Sequence, residues 1–210
     1  PTRFGSLVTG DALLTEDAPS VRLMRDAGIV FLGQTTTPEF GWKAVTDSNA
    51  FGITRNPHDP EMTAGGSSGG AAIAAALGAG VFHLGTDGGG SIRIPSSFCG
   101  ITGLKPTFSR VPAYPASPFG TVAHIGPMCR NARDTAAMLN AMSGRDRRDW
   151  NQGEGSLALL EDPGIPIKGS RIGYWTVPPA GKVDQDVATL VDALMKQQEA
   201  AGAVIEPYAH

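Results

Sequence analysis

A chain of 210 residues with 41% hydrophobic and 18% charged side chains has the composition of a folded globular protein and excludes a disordered one. Its net charge of −3 comes with no run of Lys and Arg able to track a phosphate backbone, which argues against nucleic acid as a ligand. The longest apolar run, Ala71 to Phe82, falls well short of the ~20 residues that a membrane span needs.

The first expected element pair is SVRLMRDAGIVFLG (20–33), a helical stretch ending in Ala-Gly that runs straight into an apolar strand. The same rhythm returns in AAIAAALGAGVFHLG (71–85) and in ALMKQQEAAGAVIEP (193–207). In each case a glycine (Gly28, Gly80 or Gly202) stands where a helix wants a left-handed terminating residue. RIGYWTV (171–177) reads as a further strand, followed by a helix opening near Asp184. The stretch 145–170 reads as a surface connection within one domain. Helices alternating with short buried strands define an α/β layer architecture. The chain opens on Pro1 without a methionine and stops at His210 just after a strand, which reads as a piece of a larger protein.

Two cysteines, Cys99 and Cys129, make neither a CxxC pair nor a disulfide framework, and this fits a reducing, cytoplasmic setting. His58, His83, His124 and His210 are scattered and form no HExxH, so a metal site has no support.

Glycine is in excess, 28 of 210 residues, against a usual share of ~7%. Much of the excess surrounds two serine clusters, GGSSGG (65–70) and GTDGGGSIRIP (85–95). The first leads into an alanine-rich helix of small residues, which is not the behaviour of a flexible linker. It lacks the GK[ST] of a phosphate-binding loop. It formally satisfies GxSxG, but the approach TRNPHDPEMTA is no strand, so the context of a nucleophile elbow is missing. The second cluster follows the credible strand VFHL. Successive side-chain-free N–H groups there form a donor nest able to face an oxyanion, with Ser91 at its edge. A tight structural turn, pinned by Asp87 and Arg93, remains the other reading. A serine hydroxyl needs a base to take its proton, and no histidine is placed by the sequence to do so.

GGSSGG followed by LGTDGGGSIRIPSSFCGITGLKPT resembles the signature of the amidase signature family, serine hydrolases of carboxamides. The flanks TPEFGWKAVTDSNAFGITRNP (37–57) and HIGPMCRNARDTAAML (124–139) are similar to that family's pattern, so the likeness is close over residues 1 to about 143 and looser beyond. The resemblance implies an amidase signature domain over 1–210 with a mixed β-sheet core covered by helices on both faces. It also implies a Ser-cisSer-Lys triad. Ser91 would be the nucleophile and Ser67 the bridging serine, with a cis Gly66–Ser67 peptide. The N–H groups of Gly88, Gly89, Gly90 and Ser91 would form the oxyanion hole, Ser68 would be a supporting hydroxyl, and Asp87 with Arg93 would hold the loop.

The family's lysine lies upstream of a Pro-Thr-x-x-Gly-Ser turn, and this chain opens on that turn. Lys43 and Lys105 belong to other family segments, and Lys168 and Lys182 have no matching place; nor does Lys196. The expected function is hydrolysis of a carboxamide C–N bond to an acid plus ammonia or an amine, inactive in this piece alone. It would need a small-molecule amide and no metal or organic cofactor, nucleic acid or membrane, with a homodimer left open. FSRVPAYPASPFGTVAHIGP is unlike the pattern expected of the glutaminase component of transfer-RNA-dependent amidotransferases and favours a stand-alone amidase. An esterase with Ser67 as nucleophile and an inactive scaffold stay open as alternatives.

Overall fold

Helix α1, Pro19–Asp26, begins with proline in its first turn, where the missing N–H would have had no partner. It ends at Ala27-Gly28, with Gly28 in the left-handed region (φ +87°). The segment that follows does not form the expected strand. In this computed structural model, which describes residues 2–11, 13–152, 167–175 and 181–208, nothing pairs with residues 29–33. Val30, Phe31 and Leu32 are exposed. A strand exists only through its neighbour's hydrogen bonds, and an apolar β-prone sequence alone does not supply one.

The chain continues through a small antiparallel hairpin, β1 (Asp47–Ser48) with β2 (Gly52–Ile53), to α2, Gly69–Ala76. Helix α2 is built of small residues, and Gly69, Gly70, Ala71, Ala72 and Ala75 are buried. Its exit uses Gly78 (φ +73°), two residues earlier than expected, and Gly80 is left-handed as well (φ +105°). Strand β3 (His83–Asp87) follows, then α3 (Arg93–Cys99), β4 (Thr102–Gly103), β5 (His124–Cys129) and α4 (Ala132–Met142). The three strands form an antiparallel sheet in the order β3-β5-β4. Its β3–β5 register runs from His83 opposite Met128 to Asp87 opposite His124.

Consecutive strand side chains point to opposite faces, and β5 shows what this does for the core. Met128 packs with Ala71, Ala72, Ile92 and Cys99 from α2, α3 and the turn before α3. Cys129 packs on the other side with Met24 of α1 and Met138, Leu139 and Met142 of α4. The sheet is thus covered by helices on both faces. Helix α4 is capped by Asn131, whose side chain accepts the Asp134 N–H at 2.9 Å.

The chain divides into two compact units, Pro1–Glu161 and Asp162–His210. The division falls inside the stretch expected to be a connection within one domain; residues 153–166 of that stretch, and 176–177 at the end of the expected strand RIGYWTV, lie outside the described residues. In the second unit β6 (Arg171–Tyr174) pairs in parallel with β7 (Val204–Pro207). The crossover helix α5 (Gln185–Ala200) lies between them in sequence, with Asp184 as its N-cap, accepting the Asp186 N–H. Gly202 (φ +97°) turns the chain into β7. This unit follows the expectation closely because its signals are local.

Met128 is fully buried between the sheet and α2 and α3. Met128→Ala is therefore expected to cost about 3 kcal/mol, read as a lowered urea midpoint at unchanged slope.

Candidate active site

Both serine clusters sit at helix entrances. Ser67 immediately precedes Ser68, the N-cap of α2, and Ser91 lies in the turn that joins β3 to α3. The two entrances are tied together by the backbone: the Ser68 N–H donates to the Ser91 carbonyl at 3.2 Å. The Ser68 hydroxyl accepts the Thr86 N–H at 3.2 Å and donates to the Thr86 carbonyl at 3.4 Å. Ser68 is thereby a structural clasp between the two loops.

The Gly66–Ser67 peptide is cis. A Cβ on Gly66 would come within 2.6 Å of the Val45 backbone, so only glycine lets these segments approach. Thr46, which the sequence motifs do not include, fixes the same loop from its far side. Its buried hydroxyl donates to the Gly65 carbonyl at 2.9 Å and accepts the Gly69 N–H at 3.0 Å. No local signal marks Thr46, because its partners lie about twenty residues away in sequence. Ser67 is 5% exposed, and a Cβ on Gly41 would lie 3.5 Å from its Oγ. Ser91 is half-buried. Among the described residues neither hydroxyl has a hydrogen-bond partner, and they do not bond to each other.

Asp87 organises the second cluster. Its side chain is wholly buried, and Oδ1 accepts the Gly90 N–H at 2.8 Å and Arg93 Nη2 at 2.9 Å. Oδ2 accepts Arg93 Nε at 2.9 Å together with the N–H groups of Ile92 and Arg93 at 3.2 and 3.3 Å. Burial pushes this carboxyl up, but the Arg93 guanidinium and the Ile92, Arg93 and Gly90 amides together outweigh it and hold the group below its ordinary value.

This arrangement corrects one expectation. The Gly90 N–H is spent on Asp87 and is not available to an oxyanion; with φ +128° and a Cβ that would strike Ile94 at 2.7 Å, Gly90 serves the turn. The N–H groups of Gly88, Gly89 and Ser91 have no acceptor among the described residues, and Gly88 and Gly89 are exposed.

No lysine among the described residues bonds to Ser67. Lys43 pairs with Asp47, and Lys105 Nζ donates to the Pro106 carbonyl. Lys168, Lys182 and Lys196 belong to the second unit. His124 lies opposite Asp87 on β5, but its Nδ1 is occupied by the carbonyls of Val122 (2.7 Å) and Asp87 (3.3 Å). Both cysteines are buried, and burial raises Cys99 and pushes Cys129 up to about 11, far from a reactive thiolate. The approach to Ser67 is a loop carrying an isolated Arg55–Thr63 bridge. The strand that a GxSxG elbow requires is therefore absent. Among the described residues no three His, Cys, Asp or Glu side chains are grouped to hold a metal ion, and no helix is long and apolar enough to cross a membrane.

The family model described as Amidase matches residues 1–209. A glutamyl-tRNA(Gln) amidotransferase subunit of Koribacter versatilis is 38% identical over 206 residues, which cover 97% of this chain and 43% of that protein. Among solved structures, the corresponding glutamyl-tRNA(Gln) amidotransferase subunit from Thermotoga maritima superimposes with a TM-score of 0.88 at 32% identity, covering 99% of this chain and 46% of that one. A bacterial aryl acylamidase of the amidase signature enzymes gives 0.83 at 32% identity, covering 94% and 41%. The chain belongs to the amidase signature family of amide-cleaving enzymes and has its fold. It spans less than half the length of the curated relatives it matches.

Two outcomes test this framework. Thr46→Val, which keeps the shape but leaves the Gly65 carbonyl and Gly69 N–H unpaired, is expected to cost about 1–3 kcal/mol in denaturant unfolding. Asp87→Asn is expected to cost roughly 3 kcal/mol at pH 7. Because the folded value of Asp87 lies below the unfolded one, its stabilisation is complete above about pH 4 and is lost as pH falls through the folded value. The gap between parent and variant therefore narrows on acidification.

Proposed function

We propose that the complete enzyme hydrolyses a carboxamide through an acyl-enzyme on Ser91. A neutral lysine, supplied by polypeptide outside these 210 residues, takes the proton of Ser67 as Ser67 takes that of Ser91. The Ser91 oxygen then attacks the amide carbonyl carbon. Negative charge on the carbonyl oxygen is met by the free amides of Gly88, Gly89 and Ser91, which need no reorganisation as the charge develops. The same relay returns a proton to the leaving nitrogen, the C–N bond breaks, and ammonia or an amine departs. Water, deprotonated along the same path, attacks the acyl carbon, releases the acid and restores the Ser91 hydroxyl. The single observation that carries this reading is the juxtaposition of the Ser67 loop with Ser91, through the Ser68–Ser91 hydrogen bond, beside three amides without an acceptor among the described residues.

A stand-alone amidase acting on a small linear amide in the cytoplasm is favoured by FSRVPAYPASPFGTVAHIGP, which departs from the expected amidotransferase pattern. The second reading is the ammonia-producing component of a transfer-RNA-dependent amidotransferase working with partner proteins, and the 38% identity to an amidotransferase of that kind favours it. The first requires turnover of simple amides by the polypeptide on its own, and the second requires partners and hydrolyses glutamine.

In the complete enzyme Ser91→Ala is expected to abolish amide hydrolysis. Ser67→Ala is expected to lower kcat by about 10³-fold or more, the scale set by removing a member of a catalytic triad. A fluorophosphonate should label Ser91; labelling of Ser67 with Ser91 untouched would establish the esterase arrangement instead, and unchanged turnover in Ser91→Ala would end the proposal.

A further inference from the structure

Two aromatic side chains that belong to neither serine cluster stand beside the site. Trp42 directly follows Gly41, the residue whose backbone passes against the Ser67 hydroxyl, where an added Cβ would lie 3.5 Å from Oγ. Phe119 comes from the loop before β5, and its Cβ lies 4.0 Å from where a Cβ on Gly88 would stand. Gly88 carries the first of the amides that have no acceptor among the described residues. The two rings stack with centroids 5.4 Å apart and planes 17° from parallel. Trp42 nevertheless keeps 75% of its surface exposed, and Phe119 keeps 37%.

An indole so exposed gains little from folding alone, yet it is held in a fixed orientation by its stacking partner. A pre-ordered aromatic face next to a reacting centre takes up flat apolar groups with little further loss of rotamer freedom. It offers no counter-charge to a carboxylate substituent. The cations adjacent in sequence are already engaged, Lys43 by Asp47 and Arg93 by the buried Asp87 carboxylate. The free carboxylate of an amino-acid amide would find no ready partner in either, whereas an aryl ring finds a surface.

We propose that Trp42 and Phe119 are specificity-determining residues that select amides bearing an aryl or similarly flat apolar substituent, by stacking that group beside the Gly88 and Ser67 segments. This rests on the amide-hydrolysing reading of Ser91 and Ser67. The pair bridges residues 42 and 119, so it links the segment over the relay serine to the loop over the first oxyanion donor. Substrate selection and charge stabilisation then share one wall of the site.

The test uses the complete enzyme and compares kcat/KM for benzamide, which carries its ring on the acyl side, and acetanilide, which carries it on the amine side, with that for acetamide. Trp42→Ala and Phe119→Ala are each expected to lower the aryl-to-acetamide ratio about tenfold, mainly through KM, as loss of uniform binding does. Trp42→Phe, which keeps a stacking ring, is expected to retain most of the ratio. The aryl substrate that loses more identifies the side on which the ring sits. Ratios within about twofold of the parent in both alanine variants overturn the assignment even though hydrolysis continues. A parent enzyme that turns over none of the three amides fails the reading of Ser91 and Ser67 instead. The aromatic pair is then judged by equilibrium dialysis with benzamide: saturable binding weakened about tenfold by Phe119→Ala upholds it, and no saturable binding overturns it.

Discussion

The buried Asp87 carboxylate is the constraint on which the rest of the site depends. Five hydrogen bonds converge on it, three from the amides of Gly90, Ile92 and Arg93 and two from the Arg93 guanidinium. A carboxylate taken out of water is costly unless its lone pairs are filled, so this convergence is what allows β3 to end in a buried charge. It also dictates where the neighbouring amides cannot point. With Gly90 and Ile92 turned inward to Asp87, the N–H groups of Gly88, Gly89 and Ser91 are left without acceptors among the described residues. The proposed oxyanion donors are thus a by-product of satisfying one buried acid.

The Ser67 loop is held in place beside this turn by one backbone bond and by the hydroxyls of Ser68 and Thr46, not by the hydroxyls of Ser67 and Ser91. Ser68 connects to Thr86 and Ser91, and Thr46 grips the carbonyl of Gly65 and the amide of Gly69. Ile92 fills the space between α2 and α3 along with Ala71 and Ala72, which brings the helix entrances side by side. The Ser67 and Ser91 hydroxyls carry no hydrogen bond among the described residues, which under the proposed mechanism leaves their protons free to move. A site whose rigidity resides in neighbouring hydroxyl-to-backbone bonds and close glycine contacts presents side chains that are positioned but unencumbered.

The same separation of duties extends to the surface. Tyr114–Pro115 is a second cis peptide, in the loop that carries Phe119 toward the site. That loop follows β4 and returns into β5, whose register with β3 sets His124 opposite Asp87. His124 stacks edge-on with Phe108 and bonds the Asp87 carbonyl, so the loop's base is anchored on the strand that carries the acid. Loop, sheet and donor nest form one connected piece. Phe119 therefore inherits its placement from the same β3–β5 ladder that leads into the Ser91 turn.

Local chemistry was legible without coordinates. Left-handed glycines at 28 and 202, the helix opening near Asp184 and the strand leading to Asp87 each depend on residues a few positions apart, and there the order of residues was enough to decide the outcome; the helix expected to end at Gly80 exits through Gly78 instead. The fate of residues 29–33 was different: an apolar, β-branched run becomes a strand only if another strand is beside it, and none of the described residues is. Gly90 could not be separated from Gly88 and Gly89 by inspection, because the difference lies in where a carboxylate three residues earlier turns once Arg93 clamps it. Thr46, and the pairing of Trp42 with Phe119 across 77 positions, were equally silent, and for one reason. Their partners are remote along the chain, and contacts of that kind exist only after the helices and the β3–β5–β4 sheet have packed.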